Sequence, residues 1–208
     1  MLSGAFRAVM LTSFFVVLTG CAASTQVAGT YTDDSYADKS FSNFLVIGVA
    51  GNYSSRAQFE RTVAAGLRAE GASASTYYSI VPGNEPISRE AVLGAVQSGN
   101  FDAVLVTRVV DQQTSVEVES GSTGVKSSTM GGRPINFFRY DYEELNEPES
   151  ISFATTVMLS SELFSSADET MIWAITISNT DAPNAGVLID NTAASIVDRL
   201  RSDGLIGR

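Results

Sequence analysis

Phe44-Leu45-Val46-Ile47-Gly48-Val49-Ala50, followed at once by Gly51-Asn52, is the stretch on which the fold turns. An apolar run this short with no polar alternation is the pattern of a strand buried on both faces. Beyond the break, Ser55 and Gln58 stand at capping-box spacing, and Phe59, Val63, Gly66 and Leu67 share one helical stripe until Gly71 supplies a stop. A buried strand that feeds an amphipathic helix is the first half of a crossover unit, with the helix packed on the sheet.

Working outward, Ala72 to Val81 is rich in Ser, Thr and Tyr and ends at Pro82-Gly83, which predicts a second, less buried strand. A second helix is expected after Ser88, with Ile87 and Val92 as a hydrophobic staple and Gly99 as its stop. Phe101 to Val110 is a third strand, and Thr114 to Glu119 alternates as an exposed strand would. Ser120 to Ser150 holds four Gly and two Pro and reads as a long loop or hairpin arm. Ile151, Phe153, Thr155, Val157 and Leu159 then alternate with polar or small neighbours, as do Met171, Trp173, Ile175 and Ile177, with a hairpin turn over 165–170. From Asn184 to Ser202, Ile189, Ala193, Ile196 and Leu200 line one face of a last helix closed by Gly204. The sum is an α+β domain over 41–208: a single mixed sheet of about five strands in β-α-β-α-β-β-β-α order, with helices packed on it.

Composition narrows the chemistry. The 208 residues include no His and one Cys, which removes Ser-His and Cys-His nucleophiles, histidine metal sites, zinc clusters and any intrachain disulfide. Thirteen basic against 23 acidic residues give a net charge of −10, which argues against electrostatically driven binding of nucleic acid or anionic lipid headgroups. We therefore expect no catalytic set, no metal and no cofactor.

Arg7 precedes the apolar stretch Val9 to Leu18, which is too short to span a bilayer and reads as a secretory signal over 1–20. Leu18-Thr19-Gly20-Cys21 resembles the lipobox of bacterial lipoproteins: an aliphatic residue, two small residues, then the chain's only cysteine. The resemblance implies cleavage before Cys21, a thioether-linked diacylglycerol on its sulfur and acylation of its new amino group. Loss of residues 1–20, which carry Arg7 and no acid, would take the net charge from −10 to −11. Two or more acyl chains suffice for stable anchoring where one is marginal. By the same resemblance, Ala22 and Ala23, in place of an Asp after the cysteine, favour the outer membrane with the domain facing the periplasm. Residues 21–40, mostly Ser, Thr, Gly, Asp and Tyr, read as a lipidated tether with a reach of ~25 Å.

Together with the lipobox and the Phe44–Ala50 strand, Gln58-Phe59-Glu60, Ala103-Val104-Leu105-Val106-Thr107-Arg108-Val109-Val110-Asp111 and Met171-Ile172-Trp173-Ala174 make the chain similar to a family of small uncharacterised bacterial lipoproteins. The order of elements also resembles the periplasmic domains of the curli secretion channel lipoprotein, the penicillin-binding-protein activator lipoprotein and the amino-terminal domain of TolB. What this implies is action by binding or assembly. A pair of membrane-spanning hairpins like those of the channel lipoprotein is not evident, which sets pore formation aside.

Four groups of residues are weighed as sites. Gly48-Val49-Ala50-Gly51-Asn52 joins a strand to a helix N-terminus, a place for an anion, but without a following Lys it reads as a tight turn. Arg108 and Asp111, near the end of the third strand, read as an edge-of-sheet ion pair. Glu143, Glu144, Glu147 and Glu149 offer calcium ligands or paired carboxylates, yet no Asp-x-Asp-x-Asp-Gly loop accompanies them and they read as a solvated acidic face. Phe137, Phe138, Arg139, Tyr140 and Tyr142 have the composition of an interface hot spot, or else fold back as a satellite core. Trp173 alternates with core positions and reads as core. The function expected is a non-catalytic accessory or scaffold in envelope assembly, anchored in a membrane by lipid and contacting an envelope protein through 137–142. The alternative is a module that binds glycan or lipid fragments in a groove between sheet and helices.

Overall fold

A computed structural model describes residues 23–81, 83, 86–113 and 156–206. These form one mixed six-stranded sheet with helices on both faces, an α+β architecture. Strand β2, Asn43–Val49, is buried from Phe44 onward. Phe44 and Val46 point into one core layer, and Leu45, Ile47 and Val49 into the other. Helix α1, Tyr53–Ala69, begins two residues before Ser55, because Asn52 is extended and its Oδ1 accepts the Ser55 amide at 2.8 Å. Asn caps a helix as well as Ser does, so the cap is Asn52 and not Ser55.

Strand β3, Ser73–Thr76, pairs parallel with β2. It is shorter than Ala72 to Val81, because Tyr77–Ile80 coil into one helical turn, α2. The amide of Tyr78, which would have continued the extended chain, is taken by the Glu60 carboxylate. Helix α3, Arg89–Gly99, starts at the Ser88 cap, whose Oγ accepts the Ala91 amide, and Ile87 and Val92 are both buried in the same cluster. Its left-handed C-terminal residue is Asn100, with φ 49°, and not Gly99. Gly99 serves a different purpose: a Cβ there would stand 2.2 Å from Cε2 of the buried Phe101 ring. Gly99→Ala is therefore expected to destabilise the chain by about 1–3 kcal/mol through overpacking, although alanine is the better helix former by about 1 kcal/mol. The midpoint of urea unfolding reads the sign directly.

Strand β4, Ala103–Gln113, runs parallel to β2 and antiparallel to β5, Thr156–Ser165, which pairs antiparallel with β6, Met171–Thr180. Helix α4, Ala185–Ser202, packs on α1, where Gly66 lets the Val197 side chain approach. Its buried face includes Ile189, Ala193, Ile196 and Leu200, as the periodicity predicts. Helices α1 and α4 cover Phe44, Leu105, Leu163, Trp173 and Ile175 on one face of the sheet, and α3 covers Leu45, Ile47, Val104 and Val106 on the other.

The largest departure lies at the start. Residues 24–40 do not form a free tether: Ser24–Thr32 is strand β1, paired antiparallel with β6 from Ser24↔Thr180 to Thr32↔Trp173, and it brings the sheet to six strands. Asp33 then donates its amide to the Ile172 carbonyl at 2.8 Å, a 3-10 turn over Asp34–Tyr36 buries Tyr36, and Lys39 sits 4.0 Å over the Tyr36 ring. A strand exposed on nearly all of both faces needs no apolar periodicity. What marks it is strand propensity in Thr25, Val27, Thr30, Tyr31 and Thr32.

The sheet has two unlike ends. Val49, Arg108, Ser160, Thr176 and Gly29 form one row of partners across β2, β4, β5, β6 and β1. β2 stops there. The other four strands continue for about four more residues, an overhang of roughly 13 Å at ~3.3 Å per residue. Helices α1, α3 and α4 begin at this end, and a small cluster of Val157, Leu159 and Leu188 fills one side of the overhang. The opposite end carries the 3-10 turn, the turn between β5 and β6, and Phe41, whose amide is bound to the Leu205 carbonyl.

Candidate functional site

Where β2 and β3 end under α1, the fold buries a carboxylate. Glu60 is 0% exposed, accepts the Gly48 amide on Oε1 at 3.0 Å and accepts the Tyr78 amide on Oε2 at 2.9 Å. Arg56, one helical turn earlier and 8% exposed, donates from Nη2 to the Gly83 carbonyl at 2.8 Å and lies 5.2 Å from the Tyr53 ring. Gly48 makes this approach feasible, since a Cβ there would meet Phe59 at 3.1 Å and the Glu60 Cγ at 3.4 Å. Burial pushes the Glu60 carboxyl up to about 7, against the opposing pull of the two amides and Arg56. The same burial raises the Tyr77 phenol. The Tyr77 hydroxyl and Arg56 Nε are buried without a hydrogen-bond partner among the described residues. The cluster is a protonatable group near neutrality, sealed from solvent and tied to three elements at once.

The Gly48–Asn52 turn does join a strand to a helix N-terminus. Two of its amides are taken by the chain itself, that of Gly48 by Glu60 and that of Ser55 by Asn52. Arg108 and Asp111 lie on β4, where it passes the end of β2, but they do not pair with each other. Arg108 faces Glu162 at 3.8 Å, with Glu162 buried, while Asp111 accepts from Gln113 at 3.1 Å. On the other face of the sheet the hydroxyls of Thr107 and Ser161 meet at 2.8 Å. Trp173 is fully buried, as expected, and its Nε1 donates to Asp203 at 2.8 Å. Leu18, Thr19, Gly20 and Cys21, the 137–142 cluster and the acids at 143, 144, 147 and 149 lie outside the described residues.

Between the sheet and helices α1 and α4, a cavity lined by Val49, Phe59, Val109, Leu159 and Ile189 holds about 20 Å³, room for a single water. A shallow groove of about 570 Å³ lies at the opposite end, bordered by Tyr36, Lys39, Phe101, Asp102 and Asp168. Two of its acids are engaged with the fold, whereas the buried Ser166 hydroxyl has no hydrogen-bond partner among the described residues. Asp102 accepts the amides of Ser42 and Asn43, and Tyr36 donates its hydroxyl to Asp168. Although burial opposes it, hydrogen bonds from Tyr36 and Ser165 hold the Asp168 carboxyl below its usual range. Among the described residues no group of three or more His, Cys, Asp or Glu is placed to hold a metal ion, and no helix is long and apolar enough to cross a membrane.

Glu60 escapes a reading of the sequence. The signal present is a charged residue set between Phe59 and Val63 on the buried stripe of α1, where a solvated Glu would not sit.

No protein-family model matches the chain, and no curated protein does. Among solved structures it is similar to PelC from Paraburkholderia phytofirmans, described as a dodecamer. A point variant in space group C2 shares 18% identity at a TM-score of 0.45, and a second structure in space group P6 shares 15% at 0.43. Each alignment covers 90% of this chain and 100% of the other. At these scores the likeness carries no conclusion about assembly or activity.

Proposed function

We propose that this chain is a lipid-anchored lipoprotein of the outer membrane whose α+β domain faces the periplasm and serves as a non-catalytic accessory or scaffold in envelope assembly or maintenance. The observation that carries it is Leu18-Thr19-Gly20-Cys21 placed directly after the apolar core of a secretory signal. The use made of the buried charges supports a structural role. Glu60 binds β2 and α2 to α1, Glu162 faces Arg108 across the β4–β5 pair, and Asp203 joins α4 to β6. Carboxylates engaged in this way hold elements together, and shape and surface remain for recognition.

The test is Cys21→Ala in the full chain. The unchanged chain is expected to incorporate labelled palmitate and to sediment with outer membranes until detergent is added, and the variant to do neither. A mature chain whose mass contains no acyl group would refute the proposal. Photo-crosslinking from Phe138 and Tyr140 addresses the partner: capture of one envelope protein is the expected result, and no capture together with unchanged envelope phenotypes on deleting 133–142 would refute the contact.

A further inference from the structure

The register of β1 says how such a chain would sit on its membrane. Ser24, three residues after Cys21, is already paired with Thr180 in the sheet. Three residues of extended chain reach about 10 Å at most, at ~3.3–3.6 Å per residue. A lipid on Cys21 therefore brings the Ser24 end of the domain to the bilayer and leaves no slack for it to swing away.

That end is the overhang. The described strand ends there carry Ser24, Gln26, Gln113, Thr156 and Thr180 with the acids Asp111 and Asp181, and the first turn of α3 adds Arg89 and Glu90. The far end is more heavily charged. The turns there carry Asp33, Asp34, Asp38, Asp102, Asp168, Glu169 and Lys39, and the last turns of α1 and α4 add Arg68, Arg199 and Arg201. An anionic headgroup surface repels the acids of those turns within a Debye length of about 8 Å. The starting ends of α1, α3 and α4, which carry partial positive charge, meet at the overhang. Chain length and strand register select this orientation.

We propose that the overhanging end of the sheet, formed by the start of β1, the end of β6, the start of β5 and the end of β4, rests on the phospholipid headgroups, with the acidic turns directed away from the membrane. This rests on the lipid-anchor reading above. It adds that the domain has a fixed, membrane-apposed face instead of being free at the end of a tether.

A labelling experiment on the acylated full chain separates the two statements. If Cys21 carries lipid, the unchanged protein has no free thiol, and an introduced cysteine is the one reactive site. Gln26→Cys places a fluorophore on exposed β1 near the overhang. Asp38→Cys places it at the acidic end, roughly 20 Å farther along the strand axis at ~3.3 Å per residue. The labelled chains are reconstituted into vesicles of phosphatidylethanolamine and phosphatidylglycerol with a nitroxide on part of the headgroups. The Gln26 label is expected to lose most of its emission, and the Asp38 label to match vesicles without nitroxide. Equal quenching of the two, no quenching of either, or quenching of Asp38 alone overturns the orientation while leaving the anchor intact. A wild-type chain whose Cys21 reacts with maleimide overturns the anchor, and the orientation with it.

Discussion

Glu60→Ala is expected to lower folding stability by about 3–5 kcal/mol, the range found when one partner of a buried charged cluster is removed. The substitution leaves the buried amides of Gly48 and Tyr78 without acceptors and Arg56 without the carboxylate beside it. Each abandoned buried donor costs about 1–3 kcal/mol. Glu60→Gln keeps the shape and one acceptor and is expected to cost less. It also isolates a second effect, the dependence of stability on pH. The Glu60 carboxyl rises from 4.5 to about 7 on folding, so the folded chain binds this proton more tightly than the unfolded chain. Its contribution is fully present below about pH 4.5 and is lost as pH rises to about 7, after which it is flat. At about 1.4 kcal/mol per tenfold change in proton affinity, the loss is about 3 kcal/mol as an upper figure. Urea midpoints of wild type and Glu60→Gln across this range test it. The stability of wild type relative to Glu60→Gln should fall steadily as pH rises from about 4.5 to about 7; a difference independent of pH would refute the protonation argument.

Removal of residues 23–32 is the second large perturbation, and it discriminates between a tether and a strand. A tether would leave the fold unchanged. As observed, β1 covers β6, whose Met171-Ile172-Trp173-Ala174-Ile175-Thr176-Ile177-Ser178-Asn179-Thr180 contains no charge and no proline and is rich in β-branched and aromatic residues. An uncovered strand of this composition is a template for pairing with other chains. A chain starting at Asp33 is expected to lose solubility through aggregation at concentrations where the unshortened domain stays clear. Light scattering during refolding is the measurement, and identical traces would show that β1 is dispensable.

The interior of the fold was legible because burial writes itself as pattern. Phe44 to Val49 has no polar interruption, α4 repeats its apolar positions with the helical period, and Trp173, Ile175 and Ile177 alternate as a one-sided strand must. The edges were not legible, for the corresponding reason. β1 is exposed on nearly all of both faces, so no hydrophobic period exists in it to detect, and its low-complexity look of Ser, Thr and Gly imitates a linker. β3 looked long because Tyr77 and Tyr78 favour strands in isolation, whereas a carboxylate from 18 residues away takes the Tyr78 amide. The candidate site failed to declare itself in the same way. Glu60 meets Gly48, and Arg108 meets Glu162, only after strands and helices have been brought together, and neither pairing has a local spacing that marks it.

The antiparallel seam between β1 and β6 also has a mechanical meaning. Interstrand hydrogen bonds in such a pair lie perpendicular to the strands. A pull arriving through the residues before Ser24 runs along β1 and away from the domain, so it loads the bonds from Ser24↔Thr180 to Thr32↔Trp173 together, in shear, and not one after another as in unzipping. Beyond that seam the load reaches Trp173, held by the core and by Asp203 on α4. A chain held by its amino terminus would therefore transmit tension to β6 and the core beneath it through an exposed edge strand, which is a rigid coupling where a flexible leader would be a slack one.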